Sequence, residues 1–118
     1  MTAARIDLVI EQGADWSHVF NLYVPGNTAQ PMDLTGYKAA MQIRSAVAAA
    51  VPLVVLTDVN GLIVFTPLQG RIACSLSAAA TGAMTLGYAV YDMQITSPAG
   101  IVTRLVQGGV TLSFGVTR

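Results

Sequence analysis

From Leu86 to Thr117 the chain reads as two strands around a tight turn, and no other stretch narrows the fold as far. The first run is Leu-Gly-Tyr-Ala-Val-Tyr-Asp-Met-Gln-Ile-Thr, and the second begins Ile-Val-Thr-Arg-Leu-Val-Gln-Gly-Gly-Val. Between them lies Ser97-Pro98-Ala99-Gly100. β-Branched and aromatic residues bounded by Ser, Pro and Gly signal a hairpin. Side chains alternate across a strand, so Ala89, Tyr91, Met93 and Ile95 share one face and Tyr88, Val90, Asp92, Gln94 and Thr96 the other. On the second run Ile101, Thr103 and Leu105 oppose Val102, Arg104 and Val106.

Matching the more apolar faces puts Asp92 and Arg104 on one side, as a candidate cross-strand ion pair. Partner numbers must then sum to an even value, for example 92 with 104, and the loop must hold an odd number of residues. Gly100 suits the left-handed position such loops use. On an exposed rim the pair contributes a few tenths of a kcal/mol, up to ~1. The apolar phase then switches, because Leu105 is odd-numbered whereas Val110, Leu112 and Phe114 are even. Gly108-Gly109 stands at the switch and is the candidate β-bulge or bend. A final strand that turns between surfaces suits the corner of a two-sheet sandwich.

The rest of the chain repeats the strand pattern. Ile6, Leu8 and Ile10 alternate with polar or mixed neighbours, and Gln12 to Asp15 makes a turn. Trp16 to Val24 follows, and Pro25-Gly26-Asn27 opens a surface loop to Pro31. Asp33-Leu34-Thr35-Gly36 leads into a strand from Tyr37 to Arg44. Ser45 to Val51 is alanine-rich, either one helical turn or a connector, and Pro52 blocks a long helix. Short strands follow at 53–57, 62–66 and 71–76, the first two separated by a turn containing Asn60-Gly61. Ser77 is a helix N-cap for Ala78 to Thr81, with Gly82 as the stop. About eight strands at roughly 8–15-residue spacing, with at most one or two short helical turns and no βαβ unit, predict an all-β fold. We expect one domain over 1–118, an antiparallel two-sheet sandwich of immunoglobulin-like type, although the antibody Cys–Trp–Cys signature is missing. A barrel is the rival architecture.

Charge narrows the function. Only 10% of residues are charged and the formal net charge is zero, against about a quarter charged in ordinary soluble domains. Nothing electrostatic keeps copies apart, so the expected molecule is a subunit partly covered by partners, as a homo-oligomer or in multiple copies. The six Lys/Arg are scattered singly, which argues against nucleic acid. The longest apolar run, Ala46 to Leu56, is about half a membrane span and contains Pro52, and the first residues lack a signal-peptide core. No membrane partner is expected.

Chemistry is sparse. His18 is the only histidine and Cys74 the only cysteine, too few for a zinc or iron site, and no Gly-Xaa-Ser-Xaa-Gly occurs. Cys74 sits in an alternating stretch and reads as a small buried hydrophobe. Asp7 and Glu11 lie ~13 Å apart along a strand, too far for a paired acid and base. We therefore expect no catalytic residues, no cofactor, no metal and no enzyme activity. Tyr88, Trp16 and Tyr23 are the candidate interface anchors, since Tyr and Trp dominate interface energetics.

Four ordered pieces carry a resemblance: Ile10-Glu11-Gln12-Gly13-Ala14; Asp33-Leu34-Thr35-Gly36-Tyr37 leading into Met41-Gln42-Ile43-Arg44; Gly70-Arg71-Ile72 before Ser77–Ala80; and Tyr91-Asp92 ahead of Thr103-Arg104-Leu105. Together they resemble small structural proteins of tailed bacteriophages, including the N-terminal module of upper baseplate proteins. The chain departs from that pattern at Ala46–Ala50 and at Thr81-Gly82-Ala83-Met84. The resemblance implies a virion protein, assembled in the host cytoplasm, that docks to other phage virion proteins and has no catalytic residues. Two roles follow from it, an adaptor for a tail fibre, spike or baseplate and a capsid decoration protein. A carbohydrate-binding module using Trp16, Tyr23 or Tyr88 as stacking platforms is a reading of a different class.

Overall fold

The computed structural model describes residues 4–24, 26–85 and 87–115. Its strands in chain order are β1 (Ala4–Arg5), β2 (Leu8–Glu11), β3 (Trp16–Asn21), β4 (Tyr23–Val24), β5 (Asn27–Pro31), β6 (Lys38–Arg44), β7 (Val54–Thr57), β8 (Ile63–Thr66), β9 (Arg71–Leu76), β10 (Tyr88–Thr96) and β11 (Val102–Ser113). A 3-10 turn at Pro67–Gln69 and a short helix α1 (Ala78–Gly82) complete the described elements. β1 and β2 both pair with β11, and the large sheet continues β11-β10-β6-β7. A smaller sheet runs β3-β9-β8, and β4-β5 forms a two-stranded ribbon. The chain is an all-β sandwich.

Alternation explains which sides meet. Ala39, Met41 and Ile43 of β6, Ala89, Tyr91, Met93 and Ile95 of β10, and Val106, Val110 and Leu112 of β11 are buried on one side of the large sheet. Ile63 of β8, Ile72, Cys74 and Leu76 of β9, and Phe20 of β3 close the same core from the small sheet. Two features of strand pairing outside the hairpin depart from the sequence reading. The edge β1–β2 runs parallel to β11, so the large sheet is mixed. Asn27 to Pro31, expected as a loop, pairs with Tyr23–Val24 as β5; this ribbon is made by backbone bonds and carries no apolar alternation to announce it. Ser45 to Val51 is a connector of bends and turns.

Register corrects the hairpin. Asp92 faces Gln107 rather than Arg104, and the shift falls between Met93, which faces Val106, and Gln94, which faces Arg104. Leu105 is therefore the extra residue, and the bulge lies before Gly108-Gly109. Placing it there turns Val106 fully inward while Leu105 still packs, partly buried, against the core. The loop from Ser97 to Ile101 does hold an odd number of residues, and Ser97 N–H donates to the Ile101 carbonyl at 2.9 Å.

Gly108 and Gly109 themselves pair regularly with Tyr91 and Val90. What they provide is room. β1 and β2 keep one register against β11, with Arg5 beside Gln107 and Leu8 beside Val110, and Ile6-Asp7 bridges the interval over the glycines. A Cβ on Gly108 would collide with the Ile6 carbonyl oxygen, and one on Gly109 with the Tyr88 hydroxyl. The Asp7 carboxylate accepts the Gly109 N–H at 2.9 Å, in place of a backbone acceptor. The Tyr91 hydroxyl donates to the Ile6 carbonyl at 2.5 Å, and among the described residues no buried side-chain polar atom lacks a hydrogen-bond partner.

The pieces that carry the sequence resemblance are joints of this frame. Asp33 accepts from the Thr35 N–H at 2.9 Å and hydroxyl at 2.6 Å, closing a turn that sets Leu34 in the core. These bonds, the hydroxyl's first, hold the Asp33 carboxyl below its ordinary range. Gln12 clasps two passages of non-strand backbone, donating to the Met84 carbonyl at 3.0 Å and accepting from Gly115 N–H at 3.3 Å. Ser77 caps α1 by accepting from Ala80 N–H at 3.2 Å, and the buried Thr81 hydroxyl donates to the Ala14 carbonyl at 2.8 Å.

Candidate functional site

The outer face of the large sheet carries a concavity. Its side chains are the ones that alternation turns away from the core: Tyr88, Val90, Asp92 and Gln94 of β10, Ala40, Gln42 and Arg44 of β6, Arg104 and Gln107 of β11, and Arg5 of β1. Pairing arranges them in transverse rows. Arg5, Gln107, Asp92 and Gln42 lie side by side across four strands, and Arg104, Gln94 and Ala40 form the next row. Arg44 lies opposite Val90 on the far side of the first row. With Val47 at the rim, they enclose a concavity of about 500 Å³.

Each arginine is held differently. Arg5 meets Asp7 at 3.2 Å, and Arg104 Nε meets Asp92 Oδ2 at 3.5 Å, with 55% and 39% of the two side chains exposed. Asp92 and Arg104 thus pair, but diagonally across the Leu105 bulge instead of directly, and so exposed a pair contributes only a few tenths of a kcal/mol. Arg44 donates from one terminal nitrogen to the Ala49 carbonyl at 2.7 Å and from the other to Gln42 Oε1 at 2.6 Å. Both acceptors are neutral. The alanine-rich connector thereby fixes the guanidinium over the sheet.

The three candidate aromatic anchors do not converge. Tyr88, 56% exposed, stands at the groove with its ring against Gly109. Trp16 belongs to the small sheet, partly buried against the core, and stacks on His18 at 6.5 Å and 9°, while His18 lies 4.5 Å from Phe20. Tyr23 is exposed on the ribbon. The His18 ring makes ring contacts with Trp16 and Phe20, and among the described residues no group of three or more His, Cys, Asp or Glu side chains is placed to hold a metal ion. No described helix is long and apolar enough to cross a membrane.

Cys74 is fully buried, and burial pushes its thiol up to about 12. Burial first, and the Asp7 charge second, push the Tyr91 hydroxyl up to about 12 as well. Both groups stay protonated in the fold at pH values where an unfolded chain ionises them, from roughly 8.5 for Cys and 10 for Tyr. The folded state then binds more protons than the unfolded one, so the stability these two groups contribute is at its full value below about pH 8.5 and is lost as pH rises toward 12. The expected result is a urea midpoint that drops between about pH 9 and 11, with Tyr91→Phe flattening part of the slope. At neutral pH a thiol-reactive disulfide reagent should modify Cys74 only after denaturant is added.

No family model matches this chain, and no curated protein matches it in sequence. Solved structures do. The N-terminal domain of phage TP901-1 ORF48 aligns over 96% of this chain and 99% of its own, with a TM-score of 0.52 at 10% identity. The chain shares its fold with a phage domain. Two further matches are looser and carry no argument: extracellular domains 3–5 of Drosophila OTK (TM-score 0.38, 11% identity, 90% of this chain and 32% of that one) and CopC from Methylosinus trichosporium OB3b (TM-score 0.41, 9% identity, 86% and 99%).

Sequence reasoning missed the groove. Its arginines are distant in the chain, and only the β1-β11-β10-β6 order brings them to one face. Strand parity was the one available signal, since it puts Asp92, Gln94 and Arg104 on the solvent side together.

Proposed function

We propose that this chain is a non-enzymatic structural protein of a tailed-phage virion, an adaptor that joins a tail fibre, spike or baseplate component to other virion proteins. The supporting observation is the end-to-end likeness to the N-terminal domain of phage TP901-1 ORF48, over 96% of this chain. The four ordered sequence pieces point to the same class of protein. A sparse charge supply and large apolar side chains left exposed, among them Val9, Val47, Val64, Leu68 and Ile101, suit a subunit whose walls meet neighbours.

The deciding experiment is a cryo-electron microscopy map of the particle that carries this chain. Density fitting the sandwich at the tail tip or fibre attachment points is the expected result. Copies spread over the icosahedral shell would assign the protein to capsid decoration instead, and purified particles lacking it would overturn the virion reading altogether.

A further inference from the structure

We infer that the concavity on the outer face of the large sheet seats an extended acidic segment of a partner protein, with Arg44 as the side chain that grips its carboxylate. The inference rests on the docking role proposed above and gives it a surface and a partner chemistry.

Charge complementarity carries it. The chain as a whole has no net charge, yet three of its cations, Arg5, Arg44 and Arg104, line one groove whose only lining carboxylate is Asp92. Arg5 and Arg104 already meet carboxylates, at 3.2 Å and 3.5 Å. Arg44 does not. Among the described residues it is also the one cation that is partly buried rather than exposed. Its two hydrogen bonds go to the Ala49 carbonyl and the Gln42 amide oxygen, so its orientation is fixed while its charge is left unmatched. A guanidinium offers five N–H donors in a planar fork that fits a carboxylate, and these two bonds leave part of the fork free. Arg44 is only partly withdrawn from water, so an arriving carboxylate gains a charge-assisted bond to the free part of a fork that is already oriented.

The rest of the groove argues for a peptide over a nucleic acid. Asp92 sits in the middle of the polar row, where it repels a phosphate backbone, and beyond the concavity Lys38 is the single further described cation on this face, too few to track a phosphate backbone. Gln42, Gln94 and Gln107 supply donors and acceptors on the floor, while Tyr88, Val90 and Val47 give apolar wall and rim. From Tyr88 to Gln94 the floor runs ~20 Å at the ~3.3 Å rise of a strand. That length takes a short extended segment whose acidic and apolar side chains alternate.

The test is a fluorescence anisotropy titration of the full chain with a labelled, end-blocked peptide of alternating Glu and Val, alongside the same peptide with Gln for Glu. The Glu peptide should bind in a salt-dependent way, and the Gln peptide about tenfold more weakly or worse, since it lacks the charge-assisted contact. Arg44→Gln should weaken the Glu peptide by a similar factor. Arg104→Gln, on an exposed side chain, is the companion variant should loss of the Ala49 bond disturb the connector; it should lower affinity with an unchanged melting temperature. Equal affinity for both peptides, no binding of either, unaltered binding by both variants, or tighter binding of oligothymidylate would each overturn the inference. So would an Arg44-dependent dimer in sedimentation, which would give the groove to a second copy. The particle map is read independently: a failed titration leaves the virion role standing, and a particle without the protein leaves the titration standing.

Discussion

Gly70→Ala should cost about 3–4 kcal/mol, a large share of the ~5–15 kcal/mol that holds a domain of this size folded. At that cost the melting temperature falls by roughly 10–15 °C. Two effects add. Gly70 has φ +62°, where a Cβ costs ~1–2 kcal/mol against its own backbone. A Cβ there would also collide with the Leu22 carbonyl oxygen and lie 2.9 Å from Met32 N and 3.0 Å from Met32 O. These are backbone atoms at a joint, and none can swing away. Leu22 N–H donates to the Gly70 carbonyl at 2.7 Å, Met32 N–H to the Leu22 carbonyl at 3.0 Å, and Leu34 N–H to the Pro67 carbonyl at 3.0 Å. Three passages of chain, β3 to β4, β5 to β6 and β8 to β9, are fastened at one glycine. Gly61 is the internal control. It too has positive φ, +80°, but a Cβ there meets nothing within 4 Å, so Gly61→Ala should cost only the backbone share, ~1–2 kcal/mol. Urea unfolding of the two variants separates the contributions, and equal losses would mean that the crossing backbones yield freely.

Gly70 also shows why the resemblance was legible and the groove was not. Gly70, the Asp33–Thr35 turn, Gln12-Gly13 and the Ser77 cap are residues that few others replace, because each needs a particular backbone angle or a side-chain bond at short range. Such demands leave local marks in a sequence. Alternation in β10 and β6 was equally local, and the core side of both strands follows from it. The arginine face has no local mark. Arg5, Arg44 and Arg104 become neighbours only through the pairing of β6, β10, β11 and β1, and a parallel edge such as β1 carries no turn residue to disclose its partner. The bulge failed for a subtler reason. A glycine pair inside a strand answers either to a change in strand phase or to a backbone passing close by, and one sequence cannot say which. The phase change is real, but its extra residue is Leu105, while the glycines serve the passing Ile6-Asp7 segment.

That distinction makes the two adjacent glycines unequal. Gly108→Ala should cost about 2–3 kcal/mol and Gly109→Ala no more than ~1. Neither glycine lies in the left-handed region, so space alone decides. At Gly108 the new methyl would overlap the Ile6 carbonyl, with its carbon at 2.8 Å and Asp7 Oδ1 at 3.0 Å. Relief requires lifting the N-terminal strand off β11, which also loosens the Asp7 bond to Gly109 N–H and the Tyr91 bond to Ile6. Amide exchange in Leu8 to Glu11 should accelerate before the rest of the sheet. At Gly109 the obstacle is the outer end of the exposed Tyr88 ring, with Cε1 and Cζ at 3.0 Å, and a rotamer change moves it aside. Tyr88→Ala should therefore remove most of the Gly109→Ala cost while leaving the Gly108→Ala cost untouched, a coupling that a double-mutant cycle measures directly. A bulge seated at this pair would instead make both substitutions comparably damaging and neither sensitive to Tyr88.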